Sequence, residues 1–147
     1  MIKNFYEKNI LPPLLNCCCG TKPITYQRKK IIPEANGDIL EIGVGSGLNI
    51  PFYDKNKVSK IIALDPSEDL NSMAKIKAKA NNLNIHFLTG VAEDIQIADS
   101  SIDTIVITYT LCTIPEPEKA LSEIKRVLRT NGKILFSEHG LAPDDKV

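Results

Sequence analysis

Residues 39–48 read ILEIGVGSGL, an apolar run that passes directly into glycines at three alternate positions, Gly43, Gly45 and Gly47. The apolar run is typical of a buried strand, and glycine permits a tight turn after it. Because glycine has no Cβ atom, a ligand can approach the backbone of this loop closely. The pattern therefore predicts a strand, a ligand-binding loop and then a helix, whose free N–H groups and positive dipole end face the ligand.

Four further apolar runs lie downstream and share the lack of polar alternation seen in the first. The five predicted strands are residues 38–43, 60–65, 84–89, 102–108 and 133–138. Isoleucine, valine and leucine run through them, as expected for strands that are covered on both faces. Since helical stretches alternate with the strands, the predicted fold class is α/β, a Rossmann-like, doubly wound parallel sheet with right-handed crossovers.

Two helices are predicted between these strands. The first follows Pro66 and has Ser67 as its N-cap. Its packed face is expected to be Leu70, Met73, Ala74, Lys77 and Ala80. The second begins at Glu116–Pro117 and is expected to end at Asn131–Gly132, because glycine favours the C-cap of a helix. Its packed face is expected to be Ala120, Leu121, Ile124, Val127 and Leu128.

Length and charge restrict the function classes. The chain has 147 residues, which favours a single domain, and its 18 basic and 18 acidic residues cancel. Nothing in this balance favours nucleic acid or an anionic membrane as a partner. The apolar stretch at residues 10–19 is interrupted by Pro12, Pro13 and Asn16 and is too short to span a bilayer. We therefore expect no membrane span and a cytoplasmic location.

The cysteines predict neither a disulfide framework nor a metal site. Cys17, Cys18 and Cys19 are consecutive, which disfavours the geometry of a disulfide bridge, and Cys112 is isolated. A zinc site needs a second ligand pair, which this sequence lacks. Reduced, packed cysteines are the favoured interpretation, and a metal- or arsenic-sensing role for the triplet stays open.

The residue at the end of the second predicted strand also indicates the kind of ligand. Asp65 lies 22 residues after Gly43, where a carboxylate can accept hydrogen bonds from both hydroxyls of a ribose. A dinucleotide site needs a third glycine at the position of Leu48. The carboxylate of Glu41, just before the loop, suits a ligand with an ammonium group better than a pyrophosphate. The pattern favours S-adenosylmethionine (SAM), with a dinucleotide or a glycine turn without ligand as the alternatives.

Several motifs, taken in order, resemble those of the class I SAM-dependent methyltransferases, and within them the thiol methyltransferase-like and ubiquinone-methylase-like groups. The matching stretches are LEIGVGSG at 40–47, ALDPS at 63–67, GVAEDI at 90–95, DSSID at 99–103, TLCTI at 110–114, KRVLRTNGK at 125–133 and SEH at 137–139. Together they extend over residues 36–142. The resemblance implies a methyltransferase core at residues 36–147. The residues before the first strand predict a helical N-terminal cap at residues 1–35, in which residues 2–11 and 25–32 form helices.

The resemblance also assigns residues to the parts of SAM. Gly43, Gly45 and Gly47 would flank its methionine part, with Glu41 near the amino group. Asp65 would hold the ribose.

The adenine and the sulfonium are assigned to later residues. Ala92 and Glu93 would lie along the adenine, and Thr108 would face the sulfonium side from the end of the fourth strand. Two alternatives stay open, since Glu93 could belong to the first turn of a short helix and Thr108 could simply end a strand. His86 is interpreted as a surface residue of an edge strand.

The acceptor and the catalytic residues are not determined by the sequence. We expect a small-molecule acceptor, and a lipophilic one if the apolar N-terminal residues roof the site. Those residues are Phe5, Tyr6, Ile10, Leu11, Leu14 and Leu15. If the acceptor must lose a proton, the candidate bases, which cannot be ranked, are Tyr6, Tyr26, Tyr109 and His139.

The resemblance implies two further antiparallel strands after the fifth, whereas this sequence ends at Val147. We therefore expect the strand order 3-2-1-4-5 without the final antiparallel pair, and a fifth strand that forms an uncovered edge. Such an edge favours association. It could pair with a second copy to form a homodimer, be covered by the N-terminal segment, or belong to a fragment of a longer protein. Two functional alternatives remain, a SAM-binding fragment or module without turnover and an NAD-binding oxidoreductase.

Overall fold

Five strands pair in parallel to form one sheet in the computed structural model, which describes residues 20–140. In chain order they are β1 (Gly37–Ile42), β2 (Val58–Asp65), β3 (Ile85–Thr89), β4 (Ile102–Thr108) and β5 (Leu128–Ser137). Their order across the sheet is β3-β2-β1-β4-β5. The predicted fold class and strand order are both confirmed.

Three α-helices flank the sheet within the described residues. They are α1 (Lys22–Ile31), α2 (Glu68–Ala80) and α3 (Pro117–Val127). Short 3₁₀ turns lie at Ile32–Glu34, Ile50–Phe52 and Leu111–Thr113. The helix predicted at residues 25–32 corresponds to α1, whereas the one predicted at residues 2–11 and the cysteine triplet lie outside the described residues. The division into a cap and a core therefore stays a prediction.

The core lies on both faces of the sheet because side chains alternate along each strand. On one face, Leu40 and Ile42 of β1 pack with Ile105, Ile107 and α3. On the other face, Ile39 packs with Val106, Tyr53 and the 3₁₀ turn after α1. Glu41 shares this second face with Ile39, since the two residues are two apart in the same strand. A carboxylate is thereby placed inside the protein rather than at its surface.

The helix predicted directly after the glycine loop is wrong. Residues 43–57 contain no α-helix, and the loop passes instead into the 3₁₀ turn Ile50–Phe52. Pro51 lacks the N–H group that a continuing helix needs, and Tyr53 adopts an extended backbone and is buried in the core. The loop is therefore anchored by packed side chains and not by a long helix.

The expected C-cap at Asn131–Gly132 is also wrong. Helix α3 ends at Val127, and Leu128 already has extended dihedral angles and begins β5. Leu128 pairs with Ile102, and the next paired residue of β5 is Lys133, so the intervening residues form an irregularity in the strand. Gly132 allows the chain to pass close to the Leu128 side chain.

The packed faces of the helices are only partly as predicted. Ser67 does cap α2, with its hydroxyl accepting a hydrogen bond from the Leu70 N–H. Ala80, however, is exposed, and α2 buries Asn71 and Ala78 together with the predicted Ala74.

Helix α3 departs from its predicted face at two residues, of which Leu128 belongs to β5. It buries Ala120, Ile124 and Val127, but Leu121 is 50% exposed. His86 lies exposed on the edge strand β3, as predicted.

The opposite edge of the sheet is formed by β5, which pairs with β4 alone among residues 20–140. Ile134 and Phe136 of this strand are 41% and 65% exposed. They alternate with Leu135, which packs against the core. The predicted edge strand is therefore present. Within the described part of the chain, no helix is both long and apolar enough to cross a membrane.

Candidate functional site

A cavity of about 170 Å³ opens where β1, β2 and β4 end at the carboxyl edge of the sheet. Ligands of parallel α/β sheets bind at this edge. The residues that line the cavity come from the glycine loop, from the start of α2, from the segment after β4 and from α1. They are Arg28, Gly43, Val44, Gly45, Ser46, Leu48, Asp65, Leu70, Thr108, Tyr109, Thr110 and Thr113.

The three glycines of the loop have different roles. All three adopt a left-handed backbone, with φ of +69°, +52° and +77° at Gly43, Gly45 and Gly47. A Cβ atom on Gly45 would have only the Gly43 carbonyl oxygen within 4.0 Å, so this residue borders open space in the cavity. A Cβ on Gly47 would lie 2.6 Å from Ile50 Cδ1 and 3.0 Å from Ala74 Cα. Gly47 is thus required for packing and does not line the cavity.

Asp65 connects the glycine loop to the start of α2. Its Oδ2 accepts a hydrogen bond of 2.8 Å from the Gly45 N–H, and its Oδ1 accepts one of 2.9 Å from the Ser67 N–H. Each carboxylate oxygen has a second lone pair, and Asp65 lines the cavity. The carboxylate can therefore accept hydrogen bonds from a ligand while it holds the loop.

Glu41 is placed below the cavity and does not line it. Its side chain is buried, with a residue exposure of 1%. Oε2 accepts a hydrogen bond of 2.6 Å from the Tyr53 hydroxyl, and Oε1 accepts one of 2.9 Å from Asn49 Nδ2. Burial raises the pKa of Glu41 from 4.5 to about 7, although the bonds from Tyr53 and Asn49 act in the opposite direction. Burial, together with the adjacent Glu41 carboxylate, raises the pKa of Tyr53 well above its usual value.

Arg28 is a site residue that the sequence analysis missed. It is 5% exposed and lines the cavity from α1. Its Nη1 donates hydrogen bonds of 2.6 Å both to Asn49 Oδ1 and to Thr108 Oγ1. The guanidinium carbon also lies 5.2 Å from the centre of the Tyr109 ring, within cation–π range.

The sequence did contain a signal for Arg28. Ile24, Arg28, Ile31 and Ile32 are spaced as one face of a helix. An arginine on an otherwise apolar face is buried only if partners are provided for it. The neighbouring lysines, Lys29 and Lys30, obscured this signal because they make the stretch look like a solvated basic run.

Tyr109 forms the wall of the cavity after β4. Its backbone is left-handed, with φ of +55°, and its hydroxyl accepts a hydrogen bond of 3.0 Å from Ser137 Oγ. Glu138 Oε1 accepts from the N–H groups of Thr110 and Leu111, which fixes the turn after Tyr109.

The other candidate bases lie apart from the cavity or beside Tyr109. The ring of His139 is centred 4.9 Å from that of Tyr109. Tyr109 lines the cavity, whereas Tyr26 is 58% exposed and does not. Tyr6 lies outside the described residues.

The residues predicted to contact an adenine do not line this cavity. Ala92 is buried in the apolar cluster on the α3 side of the sheet. Glu93 Oε1 accepts a hydrogen bond of 3.3 Å from the Glu116 N–H at the start of α3. The structure thus brings together Gly43, Gly45, Asp65 and Thr108, and the binding roles of all predicted site residues remain to be tested.

A parallel sheet of this order, with a glycine loop after β1 and an acidic residue at the end of β2, defines a Rossmann-like α/β fold. The family described as "Methyltransferase domain" matches residues 40–136. The chain therefore belongs to the class I SAM-dependent methyltransferase family.

The relatives of known name include members of both groups that the motifs indicated. The chain is 36% identical over 124 residues to the human thiol S-methyltransferase TMT1B, which covers 80% of this chain and 50% of the relative. It is 33% identical over 114 residues to the ubiquinone/menaquinone biosynthesis C-methyltransferase UbiE of Rickettsia prowazekii, covering 73% and 46%. The chain thus spans about half the length of these relatives. A yeast relative, OMS1, is mitochondrial, so the cytoplasmic location stays a prediction.

Solved structures show the same architecture. A SAM-dependent methyltransferase of Methanococcus maripaludis superposes with a TM-score of 0.75 at 25% identity and covers 86% of this chain and 62% of its own. The YcgJ protein of Bacillus subtilis superposes with a TM-score of 0.71 at 25% identity, covering 78% and 50%.

Proposed function

We propose that this chain binds SAM in the cavity at the carboxyl edge of the sheet and transfers its methyl group to a small-molecule acceptor. The observation that carries the proposal is the juxtaposition of Gly45 and Asp65. Gly45, which has no Cβ atom, borders open space, and the Asp65 carboxylate, which can accept further hydrogen bonds, lies beside it. The residues present therefore fit a nucleoside ligand, with hydroxyls for Asp65 and a close approach to Gly45.

The remaining lining residues fit the amino-acid part of SAM. Arg28 brings a positive charge to the same cavity, next to Thr108. A guanidinium binds carboxylates well because its N–H groups match the two carboxylate oxygens. SAM itself supplies an activated methyl group. The task of the protein is then to hold donor and acceptor in reactive geometry and to exclude water.

We further propose a small, lipophilic acceptor, with thiols as the first class to test. Leu48, Leu70 and Tyr109 give the cavity an apolar wall. The human relative is named a thiol S-methyltransferase, and a thiol near neutral pH needs little help from a general base. No catalytic base is therefore assigned.

One observation supports SAM over a dinucleotide. A pyrophosphate is bound by the N-terminus of the helix that follows a glycine loop. In residues 43–57 that helix is replaced by the 3₁₀ turn Ile50–Phe52. The Gly43 and Val44 N–H groups are moreover bonded to the Leu64 carbonyl. The loop is thus poorly equipped for two phosphates.

The test is a calorimetric titration of the full chain with SAM, with its demethylated product and with NAD, followed by turnover with thiols, phenols and quinols. We expect binding of SAM and of the product, competition between them, and methylation of a thiol. Binding without turnover of any acceptor would favour the SAM-binding module over the enzyme. Preferential binding of NAD would overturn the proposal.

A further inference from the structure

Side chains from four segments meet below the cavity at Asn49, which is 1% exposed. Its Oδ1 accepts the 2.6 Å hydrogen bond from Arg28 Nη1. Its Nδ2 donates to Glu41 Oε1 over 2.9 Å and to Thr108 Oγ1 over 3.0 Å. Both polar atoms of the amide are therefore engaged, with partners in α1, β1 and β4.

The partners fix which way the Asn49 amide points. A guanidinium can only donate hydrogen bonds, so Arg28 must face the oxygen of Asn49. Glu41 Oε1 accepts a hydrogen bond, so it must face the nitrogen. Glu41 is itself held by the Tyr53 hydroxyl on its second oxygen. The chain of contacts from Tyr53 through Glu41 to Asn49 thus sets the position of the Arg28 acceptor.

The Thr108 hydroxyl accepts two hydrogen bonds from these side chains. Its Oγ1 accepts from Arg28 Nη1 over 2.6 Å and from Asn49 Nδ2 over 3.0 Å. A hydroxyl has two acceptor positions and one donor hydrogen. With both acceptor positions used, the hydrogen is the part of the Thr108 hydroxyl that can serve a ligand. Since Thr108 and Arg28 both line the cavity, this part of its wall offers a hydroxyl donor and a positive charge.

We propose that Asn49 is a positioning residue, which orients Arg28 and Thr108 to bind the carboxylate of the amino-acid part of the ligand, and that Glu41 acts through Asn49 and not on the ligand's ammonium group. This inference rests on the proposed function. A wall of donors and positive charge attracts a carboxylate and repels an ammonium. Glu41 has both carboxylate oxygens bonded inside the protein and does not line the cavity.

The experiment compares three nucleosides by calorimetry on the full chain. They are SAM, decarboxylated SAM, which keeps the ammonium and the sulfonium, and 5′-methylthioadenosine, which lacks the carboxylate, the ammonium and the sulfonium. For the unmodified protein, we expect removal of the carboxylate to weaken binding about tenfold or more, the size of a charge-assisted hydrogen bond. If none of the three binds, the proposed function itself fails, and this inference falls with it.

The central variant is Asn49→Ala. We expect it to weaken the binding of SAM about tenfold and that of 5′-methylthioadenosine by less than about twofold. In the variant, removal of the carboxylate from the ligand should therefore change the affinity little. An equal loss for all three nucleosides would show that Asn49 only supports the loop, and no loss for SAM would also overturn the proposal. Asn81→Ala is the matched control, because Asn81 is a half-buried asparagine that bonds the Lys77 carbonyl at the end of α2.

A second variant, Glu41→Gln, keeps the inference testable if Asn49→Ala does not fold. Glutamine can still accept from Asn49 through its oxygen, so the position of Arg28 is preserved. We expect the affinity for decarboxylated SAM to fall no more than that for 5′-methylthioadenosine. A loss confined to SAM and decarboxylated SAM would show that Glu41 acts directly on the positive charges of the ligand, which would overturn the proposal.

Discussion

The hydroxyl of Tyr53 donates a hydrogen bond of 2.6 Å to Glu41 Oε2, and both residues are buried. Burial is the largest influence on the pKa of Glu41 and raises it from 4.5 to about 7. The folded state therefore favours the protonated carboxyl more than the unfolded state does. By linkage, the resulting contribution to stability is fully present below pH 4.5 and is lost as the pH rises through about 7.

We predict that Glu41→Gln removes this dependence and raises the free energy of unfolding at about pH 8 by up to about 3 kcal/mol, the equivalent of the pKa shift. The measurement is urea unfolding of both proteins between about pH 5 and pH 8. Asp103 and Glu123 have lowered pKa values and titrate below this range, so they do not contribute. Parallel stability curves for the two proteins would contradict the prediction.

A second prediction separates the two kinds of glycine in the loop. Ala at position 45 or 47 must adopt a left-handed backbone, which costs about 1 kcal/mol in either case. Gly47→Ala additionally forces a methyl group against Ile50 and Ala74, so we expect a total loss of about 2–4 kcal/mol. Gly45→Ala has no such contact and should instead weaken SAM binding, because its methyl group enters the cavity.

The two alanine variants are compared by thermal unfolding and by calorimetry with SAM. Each serves as the control for the other, since their backbone strain is similar. If Gly45→Ala destabilised the fold as much as Gly47→Ala and bound SAM normally, the assignment of roles would be wrong.

A third prediction concerns the segment between β3 and β4, to which the side chain of Arg126 in α3 donates several hydrogen bonds. The Arg126 guanidinium donates to the carbonyls of Ile95 and Ile97 and to the carboxylates of Asp99 and Glu123. We expect Arg126→Lys to accelerate amide hydrogen exchange in residues 94–101, because an ammonium cannot reach these acceptors in the same planar arrangement.

Lys125→Ala is the control for this arginine, since Lys125 is the exposed neighbour on the same helix. We expect it to leave hydrogen exchange in residues 94–101 unchanged. The interpretation fails if Arg126→Lys and Lys125→Ala give the same exchange pattern.

A fourth prediction follows from the β5 edge, where we propose that a second copy of the chain pairs. Phe136 is 65% exposed on this strand. We expect sedimentation to show a homodimer, and Phe136→Lys to convert it to a monomer, since a lysine at a sheet edge opposes pairing. Leu121→Lys, which replaces a half-exposed leucine on α3, should remain dimeric. An unmodified chain that sediments strictly as a monomer would contradict the proposal.

The sheet could be predicted from the sequence because buried parallel strands leave a plain signal. Uninterrupted apolar runs that alternate with helical stretches predicted all five strands, and the resemblance to the methyltransferase family predicted their order. Ser67 was also predictable, since a helix cap is decided by residues three positions apart. These features depend on local chemistry and on connection rules that hold across α/β proteins.

The features that escaped prediction depend on packing between distant segments. The end of α3 was misplaced because the Asn131–Gly132 signal was overridden by pairing of Leu128 with Ile102. The contacts of Glu41 with Tyr53 and Asn49, which follow from the alternation of β1, were not predicted. Arg28 was missed because its partner Thr108 is 80 positions away along the chain.

The contact between Arg28 and Thr108 makes the sheet and the cavity depend on different parts of the chain. The sheet is assembled by pairing among strands that all follow α1, whereas the cation in the cavity belongs to α1 itself. The five strands could therefore pair without α1, whereas the cavity would then lack its arginine. An intact sheet is accordingly no measure of a complete cavity.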